Sequence, residues 1–110
     1  MKYYLFDEIP HKDMKKIEEF LEKNCTRSGI DRLFWVEVPG NCLSEMQSGH
    51  KDCQPYVFPI ETGKDWIKAE FFIRTLRDLN CTCSGYCMNN QRDFILDYMD
   101  NIIASLNIRV

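Results

Sequence analysis

A helical repeat near the end of the chain is the strongest constraint on its fold. Across residues 91–106, apolar side chains recur every three or four positions, which is the spacing of one helix face. Asn89 and Asn90 precede this segment and either can cap it. A second helical repeat covers residues 10–24, with Pro10 at its start and Asn24 at its end. Each helix has one apolar face, so each must pack against another element.

Three further segments carry the β-branched and aromatic residues typical of strands: residues 2–6, 33–38 and 56–61. The second is apolar on both faces as far as Glu37, which predicts a central position in a sheet. Pro59 cannot donate a ladder hydrogen bond, so we expect its strand to lie at an edge or at a bulge. An exposed edge leaves open that a second copy of the chain covers it as a homodimer.

Residues 66–77 fit both a strand and a helix. Ile67, Ala69, Phe71 and Ile73 alternate with polar residues, but part of the same segment also has helical spacing. We interpret it as a strand paired with residues 56–61, because residues 62–65 have the composition of a hairpin turn.

This order of elements predicts one α+β domain over residues 1–110. We expect a mostly antiparallel sheet of about four strands, in the order β-α-β-β-β-α, with both helices packed on one face. Residues 108–110 can add a short final strand. The alternative is a ferredoxin-like arrangement, in which the end of the chain pairs into the sheet.

The charge distribution argues against a nucleic-acid or membrane role. The formal net charge is −3, and basic residues such as Lys15 and Lys16 are followed by Glu18 and Glu19. The N-terminal segment does not resemble an export signal, and no apolar stretch is long enough to span a bilayer. We therefore expect a cytoplasmic protein, whose thiols stay reduced.

Five of the six cysteines and one histidine form two clusters. Cys42, His50 and Cys53 lie within residues 39–54, an interval that is long for a loop and needs something to order it. The other cluster lies between the last strand and the second helix and contains Cys81, Cys83 and Cys87, whereas Cys25 stands apart.

The spacing of these residues points to a metal site formed by His50, Cys53, Cys81 and Cys83. Residues two apart in an extended chain point to the same side, and residues three apart can share an ion across a turn. Pairing of residues 56–61 with 66–77 would bring both clusters to one end of the sheet. Three sulfurs and one nitrogen match the tetrahedral ligand set of structural zinc.

The cysteines also allow other interpretations. Cys42 or Cys87 can replace His50, and an all-thiolate set would admit an iron–sulfur cluster. The spacing is not the paired C-x-x-C pattern of zinc ribbons, and free cysteine is often simply buried. In an exported protein, the six residues could instead form disulfides.

A different hypothesis assigns redox chemistry to Cys87. It immediately precedes the second predicted helix, where the helix dipole would lower the pKa of its thiol and make it nucleophilic. Cys83 would then be the resolving partner.

The sequence favours a non-enzymatic module over an enzyme. It contains no Gly-rich phosphate loop, no H-E-x-x-H and no G-x-S-x-G. The leading interpretation is a binding or interaction module with a structural zinc ion and a protein or small-molecule partner; the alternative is a thiol-dependent redox protein.

Overall fold

A computed structural model describes residues 2–77 and 81–109 of the chain. The described residues form three α-helices and seven short strands. The helices are α1 (His11–Asn24), α2 (Glu45–Gly49) and α3 (Asn89–Ser105). The strands are β1 (Tyr3–Phe6), β2 (Thr26–Arg27), β3 (Leu33–Glu37), β4 (Tyr56–Thr62), β5 (Ile67–Glu70), β6 (Phe72–Thr75) and β7 (Gly85–Tyr86).

All of the described strands belong to one antiparallel sheet. The main path through it is β1-β5-β4-β3-β2, while β6 pairs with the start of β4 and with β7. The chain thus belongs to the predicted α+β class. The predicted central position of β3 is borne out only in part, since its outer neighbour β2 has two residues.

The ambiguous segment 66–77 is extended, and it pairs with β4 as predicted. It is nevertheless split into two strands. Ile60 lies opposite Ala69 in the pairing with β5, whereas Val57 lies opposite Arg74 in the pairing with β6. Two residues of β4, Phe58 and Pro59, therefore face the four residues 70–73.

This mismatch is a bulge, and it explains how proline is accommodated in the middle of a sheet. Pro59 lies opposite Trp35 of β3 and faces the break between β5 and β6 on its other side. The bulge alternative for Pro59 is correct. The edge alternative is wrong, because β4 has neighbours on both sides, so Pro59 gives no support to pairing with a second copy.

The expected strand count and order are not confirmed. β2 and β7 have two residues each, too few to produce a readable alternation in the sequence. Ile108 and Arg109 lie outside any strand, so they support neither the final strand nor the ferredoxin-like alternative; Val110 lies outside the described residues.

The two long helices share one core with the sheet. Phe58 of β4 makes edge-to-face contacts with Phe94 and Tyr98 of α3, at centroid distances of 6.2 and 5.8 Å. The helices contribute Met14, Ile17 and Leu21 from α1 and Ile95, Met99 and Ile102 from α3. Among the described residues, no helix combines the length and apolar character needed to cross a bilayer.

Candidate metal centre

The interval 39–54 is mostly helical rather than an unstructured loop. A 3-10 turn (Gly40–Cys42) is followed by α2 and by a second 3-10 turn (Lys51–Cys53). Ser44 caps α2: its hydroxyl accepts the Gln47 backbone N–H, and the Gln47 side chain accepts the Ser44 N–H. The sequence contains this S-x-x-Q signal, which positions His50 and Cys53 directly after the helix.

The hairpin formed by β4 and β6 brings the two cysteine clusters together. Tyr56, three residues after Cys53, pairs with Thr75 at the end of β6. The Thr75 hydroxyl donates to the Cys53 carbonyl, and the Thr75 backbone N–H donates to the hydroxyl of Ser84. Thr75 therefore links Cys53 of the first cluster to Ser84, the neighbour of Cys83 in the second cluster.

His50, Cys53, Cys81 and Cys83 converge at this place. One ligand atom from each residue lies within 4.8 Å of all the others. His50 Nδ1 lies 3.0 Å from Cys81 Sγ. The predicted convergence of these four residues is confirmed.

The spacing and the donor types are compatible with a single bound ion. Ligand atoms about 2.0–2.3 Å from a tetrahedral zinc ion stand about 3.5–3.8 Å from one another. Contacts of up to 4.8 Å need shifts of only about 1 Å to reach that arrangement. Three sulfurs and one imidazole favour a thiophilic ion and disfavour calcium or magnesium, which prefer oxygen ligands.

The cluster has a buried side and a solvent side. Cys53 is 5% exposed and Cys83 is 3% exposed, whereas His50 and Cys81 reach the surface. Cavities of about 470 and 380 Å³ open elsewhere on the molecule, and none of the four residues lines either. The cluster therefore does not open onto either of these two cavities.

The buried thiols strongly influence one another. Burial, together with hydrogen bonding to Cys81 and Cys83, raises the pKa of Cys53 to about 12. Burial also raises the pKa of Cys83, but the hydrogen bonds that Tyr56, Cys81 and Cys53 can make to its thiolate outweigh burial, so the pKa lies below its ordinary value. One thiolate is thus favoured at the expense of its neighbours, and a cation would let several ionise together.

The other cysteines are not part of this group. Cys42 and Cys87 are half-buried outside it, so neither replaces His50, and the all-thiolate set is not formed. Cys25 contacts the Tyr98 hydroxyl at 3.4 Å. Burial raises the pKa of the Cys87 thiol to about 11, opposite to the shift that the redox hypothesis requires.

Cys87 lies directly before the start of α3, as predicted, but the capping residue differs from the expectation. α3 begins at Asn89, and Met88 occupies the N-cap position that the sequence assigned to Asn89 or Asn90. The Gln91 side chain accepts the Met88 backbone N–H, which extends the helix to this point. Cys87 consequently lies one residue outside the cap, with its own N–H bonded to the Phe71 carbonyl.

Several polar residues that support the cluster were not found from the sequence. Tyr56 donates to the His50 carbonyl, Gln47 donates to the Cys83 carbonyl, and Gln91 donates to Gln47. Only the capping pattern of Ser44 and Gln47 gave a sequence signal for any of them. The Gln47–Cys83 and Gln47–Gln91 contacts join residues 36 and 44 positions apart, and the six-residue separation of His50 and Tyr56 matches no capping pattern.

No known protein family, curated protein or solved structure matches this chain.

Proposed function

We propose that this chain is a small binding or interaction module whose fold is stabilised by one zinc ion. His50, Cys53, Cys81 and Cys83 are the proposed ligands. The observation that carries the proposal is their convergence within 4.8 Å, at the point where the β4–β6 hairpin joins two distant parts of the chain.

The ligand set supports a structural role for the ion. Four protein ligands complete the tetrahedral coordination of zinc, so no position is left for a water or a substrate. Two of the thiols are buried, which would shield the ion from exchange. As an interaction module, the protein would act on a protein or small-molecule partner rather than on a substrate at the metal.

The ion would also account for the order of the interval 39–54. Because His50 and Cys53 lie on one side of the hairpin and Cys81 and Cys83 on the other, one ion closes the loop between them. Binding to such a set is coupled to folding, since the ligands are far apart in the unfolded chain. We therefore expect removal of the ion to destabilise this end of the sheet first.

The first test measures the zinc content of matched cysteine variants, each purified without added metal. Wild-type protein should contain about one zinc ion per chain, and Cys83→Ser should contain far less because it loses a buried sulfur ligand. Cys42→Ser is the matched control, since it removes a half-buried thiol of the same interval that lies outside the cluster. It should retain its zinc.

Two results would contradict the proposal. One is a wild-type protein that contains no metal and whose thermal unfolding is unchanged by chelator. The other is equal zinc content in Cys83→Ser and Cys42→Ser, which would show that any bound ion lies elsewhere.

A further inference from the structure

Two glutamines from different helices meet in the core beside the metal centre. Gln47 is 4% exposed and Gln91 is 1% exposed, and their side chains hydrogen-bond to each other at 2.7 Å. Each also occupies the third position of its helix, Gln47 in α2 and Gln91 in α3, and accepts the backbone N–H of the residue before that helix. Buried amides are costly unless their polar atoms are paired, so each polar atom of these two side chains needs a hydrogen-bond partner.

The direction of every hydrogen bond in this pair is fixed by its neighbours. The backbone N–H groups of Ser44 and Met88 can only donate, so they identify the Oε1 atoms of Gln47 and Gln91. Both Nε2 atoms must then donate. Gln91 Nε2 donates to Gln47 Oε1, and Gln47 Nε2 donates to the carbonyl of Cys83 at 3.1 Å.

The result is a directed chain of hydrogen bonds from the start of α3 to a proposed zinc ligand. It extends from the Met88 N–H through Gln91 and Gln47 to the Cys83 carbonyl. Gln47 also precedes the ligand His50 by three residues, within α2 and its C-terminal cap. Gln47 therefore belongs to the arm that carries His50 and Cys53, and its side chain contacts the arm that carries Cys81 and Cys83.

We propose that Gln47 and Gln91 are positioning residues, which hold the two ligand arms at coordination distance and couple the bound ion to the first turn of α3. The inference rests on the proposed zinc function and adds the residues that control how firmly the ion is held. Neither glutamine contacts the ion. Hydrogen bonds of this kind behind metal ligands commonly change metal affinity by about 10- to 100-fold when removed.

The test compares the rate at which excess chelator removes zinc from three variants of the full chain. Gln47→Met keeps the side-chain length but removes the donor to Cys83 and the acceptor for Gln91. Gln91→Met breaks the link to Met88 and leaves the Gln47 bond to Cys83 in place. Ile102→Val is the control: it shortens a buried side chain of α3 that has no polar contact with the site.

Gln47→Met should release zinc at least about tenfold faster than wild type, and Gln91→Met should fall between the two. Ile102→Val should release zinc at a rate within about twofold of wild type, even if it unfolds at lower denaturant concentration. Hydrogen exchange supplies the second measurement. Zinc should slow exchange of the first-turn amides of α3 in wild type, and this protection should be lost in Gln47→Met.

Zinc release from both glutamine variants at the rate of Ile102→Val would overturn the positioning role while leaving the zinc site intact. If Gln47→Met does not fold, Gln91→Met decides the question by the same two measurements. A wild-type chain that binds no zinc would overturn both the proposed function and this coupling. The zinc content of the wild type therefore separates failure of the zinc site from failure of the positioning role alone.

Discussion

At the scale of single residues, the cysteines of this chain divide by environment rather than by sequence position. Cys53 and Cys83 are buried side by side, and the pKa of one is raised to about 12 while that of the other is lowered. This divergence is expected when neighbouring thiols compete for a limited number of negative charges. Cys87 is instead held neutral by burial alone.

The raised pKa of Cys87 predicts slow alkylation. With a pKa of about 11 instead of 9.0, its thiolate fraction at neutral pH is about a hundredfold below that of an ordinary thiol. Because the pKa is raised, reactivity should increase with pH and level off only near pH 11. Mass spectrometry of the Cys87 peptide after timed iodoacetamide treatment would measure this rate between pH 7 and 10.

Free cysteine in the same solution is the reference for this experiment. Alkylation of Cys87 at pH 7 faster than the reference, with a plateau below pH 8, would contradict the burial argument. It would favour the redox alternative with Cys83 as resolving thiol.

At the scale of secondary-structure elements, the hairpin after β4 determines whether the metal centre can form. The turn between β4 and β5 contains Gly63, whose N–H donates to the Trp66 carbonyl. A Cβ atom on Gly63 would lie 2.1 Å from the indole ring of Trp66. Any larger residue must therefore displace that ring or distort the turn.

Gly63→Ala should lower the free energy of unfolding by about 1–3 kcal/mol, because it forces an overlap that the turn cannot absorb without rearrangement. Urea unfolding followed by circular dichroism would measure the change. Gly40→Ala is the control, since a Cβ there meets no atom within 4 Å. We expect it to change stability by no more than about 0.5 kcal/mol. Equal stability of the two variants would show that the turn tolerates a side chain.

The long helices could be predicted from the sequence, whereas the shortest strands could not. Helical periodicity located α1 and α3 because both expose one polar face over several turns. The two-residue strands β2 and β7 are defined by their partners and have no pattern of their own. Pro59 predicted an edge or a bulge, but the choice between them depends on the register between strands, which the sequence of one strand does not specify.

At the scale of the whole molecule, the metal centre is continuous with the hydrophobic core, which includes Cys53 and Cys83. The four proposed ligands could be chosen from the sequence because i, i+2 and i, i+3 spacings place ligand atoms together, and because one hairpin joins the two pairs. The Gln47–Gln91 contact could not, since it connects residues 44 positions apart. Such a contact is visible only when the sheet and α3 are in place.

Zinc coordination by three sulfurs and one nitrogen is tested most directly by X-ray absorption at the zinc edge. For protein purified without added metal, we expect a first shell of three sulfurs at about 2.3 Å and one nitrogen at about 2.0–2.1 Å. Cys42→Ser should give the same shell. A first shell made only of oxygen and nitrogen, or one with fewer than three sulfurs, would contradict the assignment of His50, Cys53, Cys81 and Cys83 as the zinc ligands.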